Sequence, residues 1–255
     1  MNATKDNLWK AFRGLLVVWV VGLAIAETLM TWGISNWPAL DSLQAHITAD
    51  ATTYLLWQAV AIYVLVAGSI VYSAVRFRAP PMAADTDVPA KQTRTWAPFV
   101  LTWLVLAIGI NLANTIYPGM VGLEQLWGIQ MATKNPLVID VTAQQWKWTF
   151  SYPKQGVTDV SQLVVPKGRT IDFVLRTKDV MHDFWVPAWG WKKDVIPNEV
   201  RHLFITPTVL GSTATNPMLR VQCSLICGNG HALMRAPVKV VTPADFKTWV
   251  ASNSF

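Results

Sequence analysis

Charged side chains are scarce in this chain, and so are cysteines. Asp, Glu, Lys and Arg make up 14% of the 255 residues, against about 25% in soluble globular proteins. The formal net charge of +6 could indicate a nucleic-acid partner, but the sequence has no basic cluster and no nucleic-acid-binding motif. No internal repeat is evident either. The sequence therefore argues against an ordinary soluble protein, a nucleic-acid-binding protein and a repeat architecture.

Apolar residues are concentrated in three runs in the N-terminal half, at residues 15–34, 54–75 and 96–116. Each run holds about 20 residues, enough for a helix to cross the hydrocarbon core of a bilayer. Fourteen tryptophans fit anchoring at the membrane interface. The first run is too long for the apolar part of a signal peptide, and no small-residue cleavage site follows it. We therefore predict three transmembrane helices.

Basic residues mark one side of these runs. They precede the first run and lie between the second and third, whereas residues 35–52 contain no Lys or Arg. The marking residues are Lys5, Lys10, Arg13, Arg76, Arg78, Lys91 and Arg94. The positive-inside rule then places the N-terminus inside. Residues 1–117 are predicted to form a membrane anchor, and residues 118–255 an external domain.

Glu27 lies in the first run, where a carboxylate is costly. Two interpretations are open: its side chain snorkels to the membrane interface, or it handles protons.

The external domain has a different pattern, of short β-rich runs separated by turn residues. The runs lie at residues 137–142, 146–152, 170–176, 184–187, 200–206, 219–223 and 238–241. About seven short strands with regular turns predict an antiparallel sandwich or barrel. A short helix at residues 244–251 is predicted to follow Pro243. The fold class is thus a membrane protein of the α+β type, with N-terminal helices and an all-β domain.

The two cysteines of the chain lie close together, within a short motif near its C-terminus. Cys223 and Cys227 are followed by His231 and Met234. Two thiolates, an imidazole and a thioether form a soft ligand set that suits copper. A disulfide between the cysteines is an alternative, as is zinc, although the usual second Cys or His pair of a zinc site is missing. Because one blue-copper ion needs one cysteine, the pair suggests two copper ions that share both sulfurs. His182, in a predicted loop, could supply a second imidazole.

These motifs resemble subunit II of the haem-copper cytochrome c oxidases, and the resemblance covers roughly residues 54–242. The segment from Cys223 to Met234 is similar to the binuclear copper loop of that family, and Asp179-Val-Met-His182 to its Asp-Val-Leu-His motif. Gln145-Trp-Lys-Trp148 is similar to the aromatic segment between the donor docking surface and the copper. The resemblance implies a Greek-key domain of the cupredoxin type.

The resemblance also assigns a role to each site residue. It implies that Cys223 and Cys227 bridge two coppers and that His182 and His231 bind one copper each. Met234 is then a weak axial ligand, and the backbone carbonyl of Leu225 is the opposite axial ligand. Trp146 is implied as the point of electron entry.

The function implied by the resemblance is that of subunit II of a terminal oxidase. A binuclear copper A centre would accept electrons from a cytochrome c or a small copper protein. It would pass them to haem in subunit I, which holds haems and a further copper, for proton-pumping reduction of oxygen to water. The implied partners are subunit I, other oxidase subunits and the lipid bilayer of a bacterial or archaeal plasma membrane, and no nucleic acid. A copper A subunit of a nitric-oxide reductase and a membrane-anchored copper chaperone of the thioredoxin-like class are the alternatives.

The chain departs from the family pattern at several positions. Leu225 replaces the usual Glu between the cysteines, a side chain that serves a magnesium site in the family. Three predicted spans replace the usual two, and residues 93–96 offer no carboxylate for the proton-uptake path. Family members commonly attract a basic cytochrome c with surface carboxylates, but residues 118–255 hold 14 Lys and Arg against 9 Asp and Glu. The net charge of +5 argues against strong steering of a basic donor.

Overall fold

The computed structural model describes residues 2–37, 40–78 and 96–254, with side chains described from Trp9 onward and not at Trp96. Two compact units make up the chain. The first unit comprises Met1–Trp37 and Ala51–Met120, and the second comprises Pro38–Asp50 and Val121–Phe255. The predicted inside loop, with Lys91 and Arg94, lies outside the described residues, as do three of the four residues at positions 93–96.

The first unit is helical. Helix α1 spans Asn2–Ser35, α2 spans Leu43–Arg76 and α3 spans Trp96–Asn114. A segment kinked at Tyr117, Thr115–Met120, ends the first unit, and helix α4 at Val121–Ala132 follows as part of the second unit. Three stretches of the described helices are long and apolar enough to cross a membrane, at Trp9–Ser35, Leu43–Arg76 and Ala97–Ala132. Long apolar helices therefore occupy the three predicted runs. Helices α1 and α2 continue beyond the predicted bounds, whereas α3 ends at Asn114, inside the predicted run.

Helices α1 and α2 pack closely because small residues lie between them. A Cβ atom added at Gly22 would lie 2.9 Å from Val64, and Trp19 Nε1 donates a hydrogen bond to the carbonyl of Ala61 at 3.3 Å. Small residues at helix contacts allow this close approach in membranes. On α1, Glu27 Oε2 is buried and has no hydrogen-bond partner among the described residues. Its role stays open between interface anchoring and proton handling.

The second unit is built on two β-sheets. The strands are β1 Leu137–Gln144, β2 Lys147–Tyr152, β3 Val157–Val160, β4 Leu163–Pro166, β5 Ile171–Thr177, β6 His182–Trp185, β7 Lys192–Val195, β8 Arg201–Ile205, β9 Gly211–Ser212, β10 Arg220–Cys223 and β11 Arg235–Val241. One sheet has the order β3-β2-β1-β5-β8, and the other has the order β4-β11-β10-β6-β7 with β9 on β11. This confirms the predicted all-β domain of the cupredoxin type. Two pairs, β1 with β5 and β4 with β11, are parallel, which corrects the prediction of an antiparallel sandwich.

Alternating side chains fill the core between the sheets. Strand β1 alternates buried with half-buried residues along its length, and β11 alternates buried with exposed ones. Large aromatic side chains meet in the middle, where Phe173 lies 5.1 Å from Phe184 and 5.9 Å from Trp189, measured between ring centroids. Helix α5 at Pro243–Asn253 confirms the predicted C-terminal helix. Thr242 caps it by accepting a hydrogen bond from the backbone N–H of Asp245.

The segment Pro38–Asp50 belongs to the β-domain unit, although the sequence places it in the membrane anchor. Ser42 Oγ donates to the carbonyl of Trp189 at 2.8 Å, and Gln44 Oε1 accepts from the backbone N–H of Thr206 at 3.0 Å. Ser42 and Gln44 are buried. Buried polar groups need such partners, so these hydrogen bonds explain why a polar segment joins the domain.

Candidate metal centre

The loop with the paired cysteines joins two neighbouring strands of one sheet. Cys223 ends β10, and Arg235 begins β11. The antiparallel register pairs Gln222 with Arg235, and the backbone N–H of Cys223 donates to the carbonyl of Met234 at 3.1 Å. The strand pairing thus fixes both ends of the twelve-residue motif, and it brings its first and last members together.

Sulfur and nitrogen atoms converge inside this loop. Cys227 Sγ lies 3.6 Å from His231 Nδ1 and 3.8 Å from Met234 Sδ. Cys223 Sγ lies 3.1 Å from the carbonyl oxygen of Leu225. Both cysteines are free and buried, so the structure contains no disulfide between them. The loop therefore places His231 and Met234 beside the Cys227 sulfur, and the Leu225 carbonyl beside the Cys223 sulfur.

His182 completes the cluster from the neighbouring strand. It is the first residue of β6, it is fully buried, and its Nδ1 lies 3.9 Å from Cys223 Sγ. The candidate ligand atoms of His182, Cys223 and Cys227 all lie within 4.8 Å of one another. The sequence predicted His182 in a loop before its strand, and the structure places it at the first position of the strand.

Asp179 orients the His182 ring. Its Oδ1 lies 2.9 Å from His182 Nε2, which leaves Nδ1 to face Cys223. Partial burial raises the pKa of Asp179, but the backbone N–H of Gln145, the His182 ring and other local donors outweigh it and lower the pKa to about 2. The carboxylate is therefore ionised and suited to accept the Nε2 proton. A carboxylate behind an imidazole fixes the tautomer and the ring orientation of a metal ligand.

The Cys227 thiol is protonated at neutral pH. Burial raises its pKa to about 11, with further contributions from the hydrogen bond and the charge of Cys223. Only thiolates bind metal ions, so a bound cation must displace this proton.

Trp146 covers the loop from the solvent side. It follows β1 in the turn to β2, and its Nε1 donates to the carbonyl of Cys227 at 3.2 Å. Gln145 Nε2 donates to the same carbonyl at 2.8 Å. The indole lies against Gly230, where an added Cβ would come within 2.3 Å of Trp146. Trp146 is 40% exposed, so it contacts both solvent and the backbone of a candidate ligand.

Three further residues support the centre, and two of them, Asp183 and Ser224, could not be singled out from the sequence. Ser224 donates its Oγ–H to Asp183 Oδ2 at 2.7 Å and its backbone N–H to the Asp183 carbonyl at 3.2 Å. These two bonds tie the residue after Cys223 to the residue after His182. Buried Trp148, part of the aromatic motif, donates Nε1–H to the Met234 carbonyl at 3.4 Å. Each acts on the position of a candidate ligand.

The donor set fits copper. It comprises two thiols, two imidazole nitrogens, a thioether and a backbone carbonyl, and it contains no carboxylate. Soft sulfur donors select copper, whereas magnesium and calcium need oxygen ligands. A zinc site does not usually include methionine, whereas here the Met234 sulfur lies beside Cys227.

Comparison with known proteins finds similarity to one family. The family model of the periplasmic domain of cytochrome c oxidase subunit II matches residues 154–241, a range that includes all six candidate ligand positions. This part of the chain is therefore similar to that domain. Subunit 2 of Mycobacterium bovis is 27% identical over 298 aligned residues, which cover 94% of this chain and 79% of that protein. Subunit 2 of Bacillus subtilis is 30% identical over 189 aligned residues, covering 70% and 51%.

A solved structure of a subunit II domain is also similar. The periplasmic domain of subunit II of the Bradyrhizobium japonicum cytochrome oxidase is 29% identical, with a TM-score of 0.42, and the match covers 47% of this chain and 94% of that one. Trp146 and the helices of the first unit lie outside the range of the family model. The thioredoxin-like alternative is contradicted by the fold, because the cysteines follow strand β10 in an all-β domain instead of preceding a helix.

Proposed function

We propose that this chain is the electron-entry subunit of a membrane-bound haem-copper oxidase and that its buried loop holds a binuclear copper A centre. The observation that carries the proposal is the chain of short contacts among the six donor groups. His182 and the Leu225 carbonyl lie 3.9 Å and 3.1 Å from Cys223 Sγ, His231 and Met234 lie 3.6 Å and 3.8 Å from Cys227 Sγ, and the two sulfurs lie within 4.8 Å of each other. Cys223, Cys227, His231, Met234 and the Leu225 carbonyl come from the loop, and His182 comes from the adjacent strand.

Each residue has a proposed role at that centre. Cys223 and Cys227 would hold the two copper ions as thiolates, and His182 and His231 would hold them as imidazole ligands. Met234 and the Leu225 carbonyl would be the weaker ligands. Bound copper would supply one-electron redox chemistry at this point. The chain itself holds the ligands in place, through Asp179 behind His182 and the hydrogen-bonded pair Asp183 and Ser224, and it keeps water out.

Trp146 is the proposed point of electron entry. The indole reaches solvent at one edge and donates a hydrogen bond to the Cys227 carbonyl at the other. It therefore offers a path for the electron from a docked donor, through the indole and its hydrogen bond, to the backbone of the candidate ligand Cys227. No other exposed aromatic side chain of the described β-domain has a hydrogen bond to a candidate ligand.

The remaining assignments concern the complex around the chain. Residues 1–117 would anchor it in a bacterial or archaeal plasma membrane, and residues 118–255 would face the outside, as the positive-inside rule indicates. The electron would pass to haem in a partner subunit I, for oxygen reduction to water coupled to proton pumping. A cytochrome c or a small copper protein would supply it.

The test is the metal and haem content of the purified native complex, together with its gas consumption. We expect two coppers in this chain, a mixed-valence copper spectrum, haem in the partner subunit and consumption of oxygen. One copper or one zinc per chain would overturn the assignment of the centre. Consumption of nitric oxide in place of oxygen would keep the centre but assign the complex to the nitric-oxide reductases.

A further inference from the structure

An apolar patch surrounds the candidate metal centre on its solvent side. Five exposed side chains form this patch, which we call the entry face. They are Trp146, Val180, Met181, Ile226 and Leu233. Ile226 and Leu233, next to Cys227 and Met234, are 87% and 82% exposed. Exposed apolar residues that cluster around a functional centre indicate a protein interaction site.

Hydrogen bonds join the three loops that carry the entry face. The backbone N–H of Gln145 donates to Asp179 Oδ2 at 2.7 Å, which connects the β1–β2 turn to the loop before β6. Trp146 Nε1 donates to the Cys227 carbonyl, which connects the same turn to the cysteine loop. The patch therefore rests on one connected surface of the domain.

The charges on these loops have one dominant sign. Lys147, Lys178 and Arg235 are exposed, and none of them forms a salt bridge within the part of the chain that the structure describes. The one carboxylate in residues 144–147, 177–181 and 224–235 is Asp179. Its oxygens accept hydrogen bonds from Gln145, Val180, Thr177 and His182. Asp179 is thus hydrogen-bonded within these loops, and the three exposed cations outnumber it, so the rim of the entry face carries a net positive charge.

We propose that the entry face binds an acidic electron-transfer protein, one whose redox edge is apolar and ringed by carboxylates. The inference rests on the proposed function, and it concerns the donor alone. An apolar centre buries contact area, while complementary rim charges set the encounter rate and the choice of partner. Lys147 and Lys178 lie next to Trp146 and Asp179, so a docked carboxylate would meet them within the Debye length of about 10 Å at 0.1 M salt. A donor with a basic face would meet only like charge.

The experiment compares two forms of one donor on the purified oxidase complex. Basic cytochrome c and the same cytochrome with its lysines succinylated carry the same haem and opposite surface charge. Oxygen consumption is measured from low to high salt with each form. We expect kcat/KM for the succinylated form to be the higher at low salt and to fall as salt is added, while the rate with the basic form stays flat or rises.

Charge reversal locates the contact. The Lys147→Glu, Lys178→Glu double variant should lower kcat/KM for the succinylated form about tenfold at low salt, within the range that electrostatic steering spans, and raise it for the basic form. Lys154→Glu is the matched control, because exposed Lys154 lies beyond the other end of β2, about 20 Å away along the strand. It should change neither donor's rate by more than about twofold, because the distance exceeds the Debye length.

The outcomes separate the two proposals. Faster, salt-suppressed turnover with basic cytochrome c would overturn the inference, as would equal effects of the face variant and the Lys154 control. In either case, intact copper and turnover with a small chemical reductant would leave the proposed function standing. Absence of copper, or of turnover with any reductant, would instead refute the proposed function.

Discussion

Gly230→Ala isolates the contact between Trp146 and the cysteine loop. Gly230 has φ −91° and ψ 8°. Alanine can adopt this conformation, so the substitution introduces no backbone strain. The obstacle is the indole, since the added Cβ would lie 2.3 Å from Trp146 Cδ2, 2.6 Å from Cε3 and 2.7 Å from Cγ. Carbon atoms in contact lie about 3.5–4.0 Å apart, so the ring must retreat by more than about 1 Å.

The loss of stability in the Gly230→Ala variant follows from the contacts that the displaced Trp146 ring gives up. Its hydrogen bond to the Cys227 carbonyl contributes about 1 kcal/mol, and overpacking costs about 1–3 kcal/mol in total. Because Trp146 is 40% exposed, the ring can swing toward solvent and need not compress the ligands. We therefore expect copper content to be unchanged, stability to fall by about 1–3 kcal/mol, and electron entry from the donor to slow.

A double-mutant cycle with Trp146→Ala provides the control. Without the ring, Gly230→Ala meets no obstacle and should be neutral or stabilise the protein by about 0.4–1 kcal/mol, because alanine restricts the unfolded chain. The coupling between the two positions is read from the thermal loss of the copper absorption in the purified complex. Equal destabilisation in both backgrounds would refute the clash. An unchanged donor-oxidation rate in the destabilised single variant would refute electron entry through Trp146.

Three further predictions concern the ligands and one buried carboxyl. Cys223→Ser should abolish the binuclear centre, and a mixed-valence spectrum that survives would exclude Cys223 as a bridge. Met234→Leu should retain copper but shift its potential, because an axial thioether tunes the site more than it anchors it; complete loss of copper would reverse that ranking. Burial raises the pKa of Asp41 above 3.8, against smaller opposing contributions from Asn216 and His46. Its stabilising contribution is therefore present below about pH 4 and is lost as pH rises through the raised value. Asp41→Asn should thus gain thermal stability over the unmodified protein as pH increases toward 7, and parallel pH profiles would contradict the assignment.

The ligand loop was predictable because its chemistry is local. Cys223, Cys227, His231 and Met234 lie within twelve residues, so their spacing alone indicates a soft-metal site, and the structure brings them together. His182 lies 41 residues upstream of Cys223, and a lone loop histidine carries no such signal. Only its Asp179-Val-Met-His context, through the family resemblance, marked it. The three membrane spans were predictable for the same local reason, since their length and composition are sufficient.

Other features depend on contacts between distant segments. The parallel pairing of β1 with β5 arises because the chain continues through β2 and β3, crosses to the other sheet at β4 and then returns beside β1. No turn signal encodes that return. Ser42 and Gln44 are polar, so nothing in their own residue types predicts their burial against Trp189 and Thr206. The pairing of Asp183 with Ser224 was hidden likewise, because each is an ordinary polar residue until β6 and β10 become neighbours.

The distribution of the site over the two sheets has a consequence for electron transfer. Every candidate ligand comes from β6, from β10 or from the loop to β11, which are neighbours in one sheet. Trp146 comes from the β1–β2 turn of the other sheet. The ligand geometry is therefore set mainly within one sheet, by backbone pairing and by Ser224, and Trp148 of the other sheet adds one hydrogen bond to the Met234 carbonyl. The contact that links the centre to solvent depends instead on how the two sheets pack. Changes in the packing between the sheets should then alter the rate of electron entry before they alter metal binding. The rate of electron entry and the redox potential of the copper are thus controlled by different parts of this domain.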